Sequence, residues 1–388
     1  MHDIRKPDRS VLLIAIAGGV AMAVAMGLGR FFYTPVLPAM MSDLGLSAAA
    51  AGWIASANYV GYLVGAVAAA YGWAEGIERR VALFGLVATV VLLVVMAASS
   101  NVALIAAIRF LAGLASAFAM IFTSSIVLSH GLAAGRGSVQ SVHFGGVGTG
   151  IAVSSAMFAL VVYAGGDWRA AWLAAAALAV LGAAFVARVL PATVMRDGPV
   201  RPEPPMRWTP ALALLTLSYA GFGFGYIITA TFLVAIVRDA GGSVGFEAAA
   251  WLVTGVAGAV SVAAWAPVAR RIGIVNVYVA GCLVQSVGVA ASVLLPMPAG
   301  PLVGGFLLGA TFIMVTAYGL QAGRALSPQS PRRTFALMTA AFGVGQIVGP
   351  LVAGYLADLT GSYAPGSLAA ATVLVICALI VLPFRKVA

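Results

Sequence analysis

Residues 26–38, MGLGRFFYTPVLP, place Arg30 nineteen positions after Val11 in a run that holds no earlier charge and only apolar or small residues. What this cation needs depends on the solvent around it. Of the 388 residues 62% are hydrophobic and 8% are charged, whereas an ordinary soluble domain has about 25% charged residues. The chain is therefore read as a membrane protein. A helix needs about 20 predominantly apolar residues to cross a hydrocarbon core roughly 30 Å thick. Twelve runs meet that need, over approximately 11–41, 47–71, 81–99, 102–128, 139–164, 168–190, 209–237, 246–268, 274–295, 300–323, 333–357 and 366–384. The first run is too long for a signal-peptide core and is read as a retained span.

The formal net charge of +10 is unevenly distributed. With a cytoplasmic N-terminus, the inner ends and loops hold Arg5, Lys6, Arg9, Arg79, Arg80, Arg136, Arg188, Arg196, Arg201, Arg207, Arg270, Arg271, Arg324, Arg332, Arg333, Arg385 and Lys386. Outer loops hold Arg169 and Arg238, while Arg30 and Arg109 fall inside spans. The positive-inside rule then predicts a multi-pass protein of the bacterial cytoplasmic (inner) membrane with both termini in the cytoplasm. These cations read as topology signals, and no nucleic-acid partner is expected. Cys282 and Cys377 both lie in apolar runs, where they act as small hydrophobes.

Gly27 and Gly29 beside Arg30 recur 196 residues later as Gly223 and Gly225, as do Asp43 and Gly45 as Asp239 and Gly241. Trp53 pairs with Trp251 at 198, GVGTGIAV from Gly146 with GVGQIVGP from Gly343 at 197, and LAAA at Leu173 with LAAA at Leu368 at 195. Such near-constant offsets imply two halves of six helices in the same orientation. The expected division is 1–190 for the first bundle, 191–208 for a cytoplasmic linker rich in proline and charge, and 209–388 for the second bundle.

With this plan established, several motifs look familiar. RFLAG at Arg109–Gly113 resembles the fourth-helix RxxxG motif of the major facilitator superfamily. YGWAEGIERR resembles its GxxxD(R/K)xGRR turn in outline, with Arg79 and Arg80 matching, Glu75 standing for the aspartate, and Tyr71, Gly76 and Glu78 departing. GRFFYTPVLP resembles the first helix of an uncharacterised bacterial subgroup with a GRFxYTPxLP motif. GQIVGP, Gly345–Pro350, resembles an exporter signature that the superfamily carries in its fifth helix, where this chain has Val153 at the repeat position of Pro350. The resemblance covers essentially the whole chain. It implies a twelve-helix, two-bundle secondary transporter with its site near the bilayer midplane between the halves.

The glycines of FGGVGTG, 144–150, do not complete a dinucleotide-binding pattern and are read as small residues that let membrane helices approach closely. The charges carry more information. A cation at the centre of a membrane helix costs at least ~2.5–3.5 kcal/mol, so it faces the protein interior or a watery cavity. No carboxylate falls at a span centre, because Asp3, Asp8, Glu75, Glu78, Asp197, Glu203, Asp43, Asp167, Asp239, Glu247 and Asp358 all sit at ends or in loops. Two readings of Arg30 and Arg109 stay open. Either they bond backbone carbonyls and pin the first and fourth spans together, or Arg30 faces the cavity and attracts an anionic group with its planar fork of donors. Tyr33, Asn58, Tyr59, Tyr226 and Gln346 complete the candidate substrate-binding set. Arg109, His143, Glu75, Arg79 and Arg80 form the coupling or conformational set.

The chain contains no P-loop, so ATP is not expected to drive it. The scattered His2, His130 and His143 supply no catalytic constellation, so an intramembrane enzyme is disfavoured, and no sizeable soluble domain suggests a receptor. Neither cofactor nor metal is expected. The partners expected are a small-molecule substrate, protons and the lipid bilayer, and the chain is expected to act as a monomer. The function expected is alternating-access transport driven by an ion gradient, with an organic anion as substrate. The alternative is proton-coupled efflux of drugs or other amphipathic metabolites.

Overall fold

The computed structural model describes residues 9–191 and 203–384. Among them twelve helices are long and apolar enough to cross a membrane. They are α1 (Ser10–Leu44), α2 (Ala48–Ala70), α3 (Glu78–Ala98), α4 (Val102–Ala133), α5 (Ser138–Tyr163), α6 (Trp168–Val189), α7 (Pro210–Asp239), α8 (Val244–Ile272), α9 (Ile274–Leu294), α10 (Ala299–Leu326), α11 (Pro331–Thr360) and α12 (Ala364–Phe384). Residues 192–202 of the expected linker, and His2, Asp3, Arg5, Lys6, Asp8, Arg196, Asp197, Arg201, Arg385 and Lys386, lie outside the described residues. Twelve alternating spans bring both ends of the chain to one face, called here the terminal side.

Side-chain caps set several of the helix starts. Ser47, Asn101, Asp167, Thr209 and Ser243 each accept the backbone N–H three residues on, satisfying one of the donors that the first turn leaves free. The caps at Ser47 and Ser243 fix the repeat offset of α2 and α8 at 196 residues. The tryptophan pairing expected at 198 is therefore not structural: Trp53 is 66% exposed, whereas Trp251 is buried.

The first helix departs from regular geometry. It is α-helical over Arg9–Met22, π-helical over Ala23–Phe31, and α-helical again over Tyr33–Leu44. Pro35 has no N–H to offer the carbonyls four and five residues before it, those of Phe31 and Arg30. A π stretch followed by proline thus leaves carbonyls in the helix that need donors from elsewhere.

Within each half, small residues bring the helices together as expected. A Cβ on Gly146 would overlap the Gly19 backbone, and one on Gly345 would overlap the Ala220 carbonyl. Between halves, α2 packs on α11, α5 on α8, and the Tyr33–Leu44 part of α1 on α7. On the first seam Ser56 Oγ donates to the Ile347 carbonyl at 2.8 Å, and the Asp358 carboxylate accepts the N–H groups of Ala48 and Ala49 at 2.9 and 3.0 Å. On the second seam Ser155 Oγ donates to the Ala248 carbonyl at 2.7 Å, and Gly148 and Gly255 lie directly against the facing backbone. Where α1 crosses α7, Thr34 Oγ1 donates to the Ala230 carbonyl at 2.6 Å. The hydrogen bonds among these contacts gather towards the side away from the termini.

Candidate functional site

Arg30, Tyr226, Phe312 and Gln346 each lie thirteen or fourteen residues from the far-side end of their own helix, so α1, α7, α10 and α11 bring them to a common depth. Arg30 sits one helical turn to the terminal side of the Thr34–Ala230 crossing, and it is only 3% exposed. Its guanidinium carbon lies 4.3 Å from the Tyr62 ring centre, 4.7 Å from that of Tyr59 and 5.5 Å from that of Phe31. Its Nε and Nη2 have no hydrogen-bond partner in the protein.

Arg109, on α4, has a different environment. Its Nη1 donates to the Gly29 carbonyl at 2.9 Å and its Nη2 to the Arg30 carbonyl at 2.7 Å. These carbonyls lie at the end of the π stretch, ahead of Pro35. The Tyr33 ring centre stands 5.1 Å from the Arg109 guanidinium, and the Tyr33 hydroxyl donates to the Ala51 carbonyl at 3.2 Å. Asn58 Nδ2 donates to the Arg109 carbonyl at 2.8 Å. Tyr33, Asn58 and Arg109 together tie α1, α2 and α4 within one half. Of the two arginines, Arg109 bonds carbonyls, and Arg30 faces aromatic rings.

The other half presents rings. Tyr226 lies nearly parallel to Phe312 (centroids 5.9 Å, 8°) and to Phe342 (5.6 Å, 7°). Phe222 and Tyr219 extend the stack, all from α7, α10 and α11. Gln346 Nε2 donates to the Tyr226 hydroxyl, and Gln346 Oε1 has no partner. Tyr226 lies within electrostatic range of Arg30, Tyr59 and Tyr62, and Phe31 meets Phe312 edge-on at 5.9 Å. The site thus joins a cation and three rings from one half to a stack of rings and an amide from the other.

Of the sequence candidates, Arg30, Tyr59, Tyr226 and Gln346 come together here. Tyr33, Asn58 and Arg109 form the adjoining network. His143 lies elsewhere, fully buried, with Nε2 2.8 Å from Ser124 Oγ and its ring against Gly18, between α1, α4 and α5. Arg79 Nε and Nη2 donate to the Leu190 and Ala187 carbonyls at 2.7 and 2.6 Å, closing the C-terminal end of α6, where a cation also favours the helix dipole. Glu75 and Arg80 are exposed on the terminal side.

Sequence reasoning missed Tyr62, Phe31, Phe312 and Phe342. Tyr62 follows Tyr59 by three residues and shares its helix face, a signal within reach. Phe312 and Phe342 look like any other apolar residue of a span. It also missed the burial of Glu247, which is fully enclosed at the start of α8 and paired through both oxygens with Arg238. Among the described residues no group of three His, Cys, Asp or Glu side chains is placed to hold a metal.

A family profile described as "Uncharacterised MFS-type transporter YbfB" matches residues 22–382. No curated protein matches the chain. Among solved structures, a point mutant of the nucleoside transporter NupG is similar, with a TM-score of 0.74 at 15% identity over 96% of this chain and 100% of that one. A bacterial homologue of the human lysosomal transporter Spinster, in an inward-facing and unoccupied conformation, gives 0.71 at 14% identity over 98% of both chains. At these identities the likeness is one of fold.

Proposed function

The chain belongs to this family of MFS-type transporters, and from that premise we propose that it carries a small organic anion whose charge is held by Arg30. It is a multi-pass membrane transporter of the two-bundle MFS fold. The observation that carries the substrate reading is Arg30 itself: a buried guanidinium between the halves, with Nε and Nη2 unpartnered and, among the described residues, no carboxylate paired with it. The described acids occupy helix ends and loops. An intramembrane cation lacking an internal counter-ion favours an anion that enters with the substrate, and a guanidinium suits a carboxylate or phosphate through two parallel bonds. Proton-coupled efflux of amphipathic cations would call for an embedded acid at this depth, which the described residues do not supply.

In this reading the halves rock by alternating access, driven by an ion gradient, in a bacterial cytoplasmic membrane with both termini inside. The division at 1–190 and 209–388 follows the repeat. Arg79 and Arg80 steady the terminal-side end of the first half, and His143 is the candidate for proton coupling.

The test compares Arg30→Lys and Arg30→Gln by substrate-induced thermal stabilisation and by uptake into proteoliposomes. The screen uses carboxylates, phosphate esters, amino acids, sugars and cationic drugs at two pH values. Lys keeps the charge without the fork and should weaken transport, while Gln should abolish binding in a protein that still inserts and folds. Full substrate stabilisation of the Gln variant would overturn the anion site.

A further inference from the structure

The five rings of Tyr219, Phe222, Tyr226, Phe312 and Phe342 share one orientation: each neighbouring pair among them is inclined by 26° or less. Aromatic pairs elsewhere in the molecule are mostly edge-on, as in Phe32 with Trp172 at 81°, Phe32 with Phe158 at 76° and Trp73 with Phe118 at 71°. Edge-on and offset-parallel contacts both suit the ring quadrupole, and only the second leaves faces aligned. A parallel set from three helices presents faces of one orientation. In the other half, on α2, stand Tyr59 and Tyr62, whose faces already hold the Arg30 guanidinium.

We infer that the transported anion is an aromatic carboxylate, with its ring lying parallel to Tyr226 and Phe342 and its carboxylate on Arg30, which Tyr59 and Tyr62 hold in place. The inference rests on the anion-binding reading of Arg30. Three observations point to it independently of the fold. Arg30 offers two unpartnered, buried N–H groups to a carboxylate. The stacked rings share the orientation that a flat ligand inserted beside them would adopt. Gln346 donates its amide N–H to Tyr226 and keeps a buried, unpartnered carbonyl, which suits a donor such as a ring hydroxyl. An aliphatic acid would leave the second of these unused. Because the rings belong to one half and the cation to the other, a ligand that uses both also draws the halves together, as an alternating-access cycle requires.

The test uses purified full-length protein in lipid nanodiscs, with benzoate, 4-hydroxybenzoate, cyclohexanecarboxylate and benzamide as probes of thermal stabilisation and affinity. Benzoate should bind about threefold to tenfold more tightly than cyclohexanecarboxylate, the range expected when ring stacking adds to equal charge. 4-Hydroxybenzoate should bind at least as well as benzoate, and benzamide should not bind measurably. Phe342→Leu, with Phe312→Leu as a second variant should the first not fold, should bring the benzoate to cyclohexanecarboxylate ratio close to one. Arg30→Gln should lose both carboxylates.

Equal affinity of the wild-type protein for the two carboxylates, or a ratio that survives both leucine substitutions, overturns the ring inference and leaves the anion site standing. Retention of benzoate by Arg30→Gln overturns the anion site as well. Absence of binding by every carboxylate probe overturns the inference outright.

Discussion

The two halves share a backbone frame and differ in what they mount on it. At an offset of 196 residues, the caps Ser47 and Ser243 coincide, as do Gly27 and Gly29 with Gly223 and Gly225. Gly113 packs under the Asn58 carbonyl, and Gly309 packs in the same way under that of Thr254. The chemistry diverges at the same offset. Arg30 corresponds to Tyr226, Arg109 to Gly305, and Pro35 and Pro38 to Thr231 and Val234. Helix α1 has a π stretch and two prolines beyond it, while α7 is α-helical throughout Pro210–Asp239. Arg109 therefore belongs to the irregular helix, where it donates to the Arg30 carbonyl that Pro35 cannot serve and to that of Gly29 beside it, and in the regular half the same position is glycine. Arg30 serves no such carbonyls, which is why the two cations, close in space, receive different roles.

This comparison breaks most visibly at Arg109. Arg109→Leu should destabilise the protein by ~2–6 kcal/mol, because two buried carbonyls lose their donors at about 1–3 kcal/mol each. When Pro35→Thr and Pro38→Val give α1 the residues of α7, the loss on adding Arg109→Leu should fall by at least half, measured as a double-mutant cycle of thermal or denaturant stability. Additive losses would show that Arg109 does not serve the irregular helix.

A smaller effect sharpens the shared frame. Gly113→Ala and Gly309→Ala each drive a methyl into a facing carbonyl and should each cost about 1–3 kcal/mol. Thermal unfolding of the two variants should agree closely, and a large loss in one with none in the other would mean that the halves do not pack alike.

The smallest effect concerns the seams between the halves. The α2–α11 seam ends in the Asp358 carboxylate, which caps the first turn of α2, and the repeat position on α5 is Val161. Asp358→Ala should weaken far-side closure by ~1 kcal/mol, the usual worth of a cap. Spin labels at Tyr163 and Leu359, both exposed near the far-side ends of the two halves, should report a larger population of long distances. An unchanged distribution would deny the carboxylate any part in holding that side shut.

The sequence carried the architecture because hydrocarbon imposes length and polarity on every span, and both can be counted. The repeat was legible through glycines, whose positions are fixed by backbone contact, and failed at Trp53, whose side chain packs against nothing the repeat preserves. Arg30 and Arg109 stood out because charge is rare in such a chain. Their separate roles were not legible, since the deciding facts are the carbonyls at the end of the π stretch that Arg109 reaches and the rings that approach from α2. The aromatic stack was hidden for a related reason: Phe312 and Phe342 acquire meaning only through the angle between rings from different helices. His143 and Arg79 attracted notice by residue type, and the structure ties both to neighbours in their own half.

The Thr34–Ala230 hydrogen bond joins residues one repeat apart, so it lies on the pseudo-twofold axis that relates the halves. A bond that holds the halves together at one depth gives them a point about which to tilt, which makes it a natural fulcrum. It is not central. On α1 it stands ten residues from Leu44 and twenty-four from Ser10, lever arms of about 15 and 36 Å at 1.5 Å per residue. A given tilt would then part the terminal-side end of α1 more than twice as widely as the far-side end. The passage towards the termini would open as a broad vestibule, and the opposite one as a slit suited to a flat molecule entering edge-first.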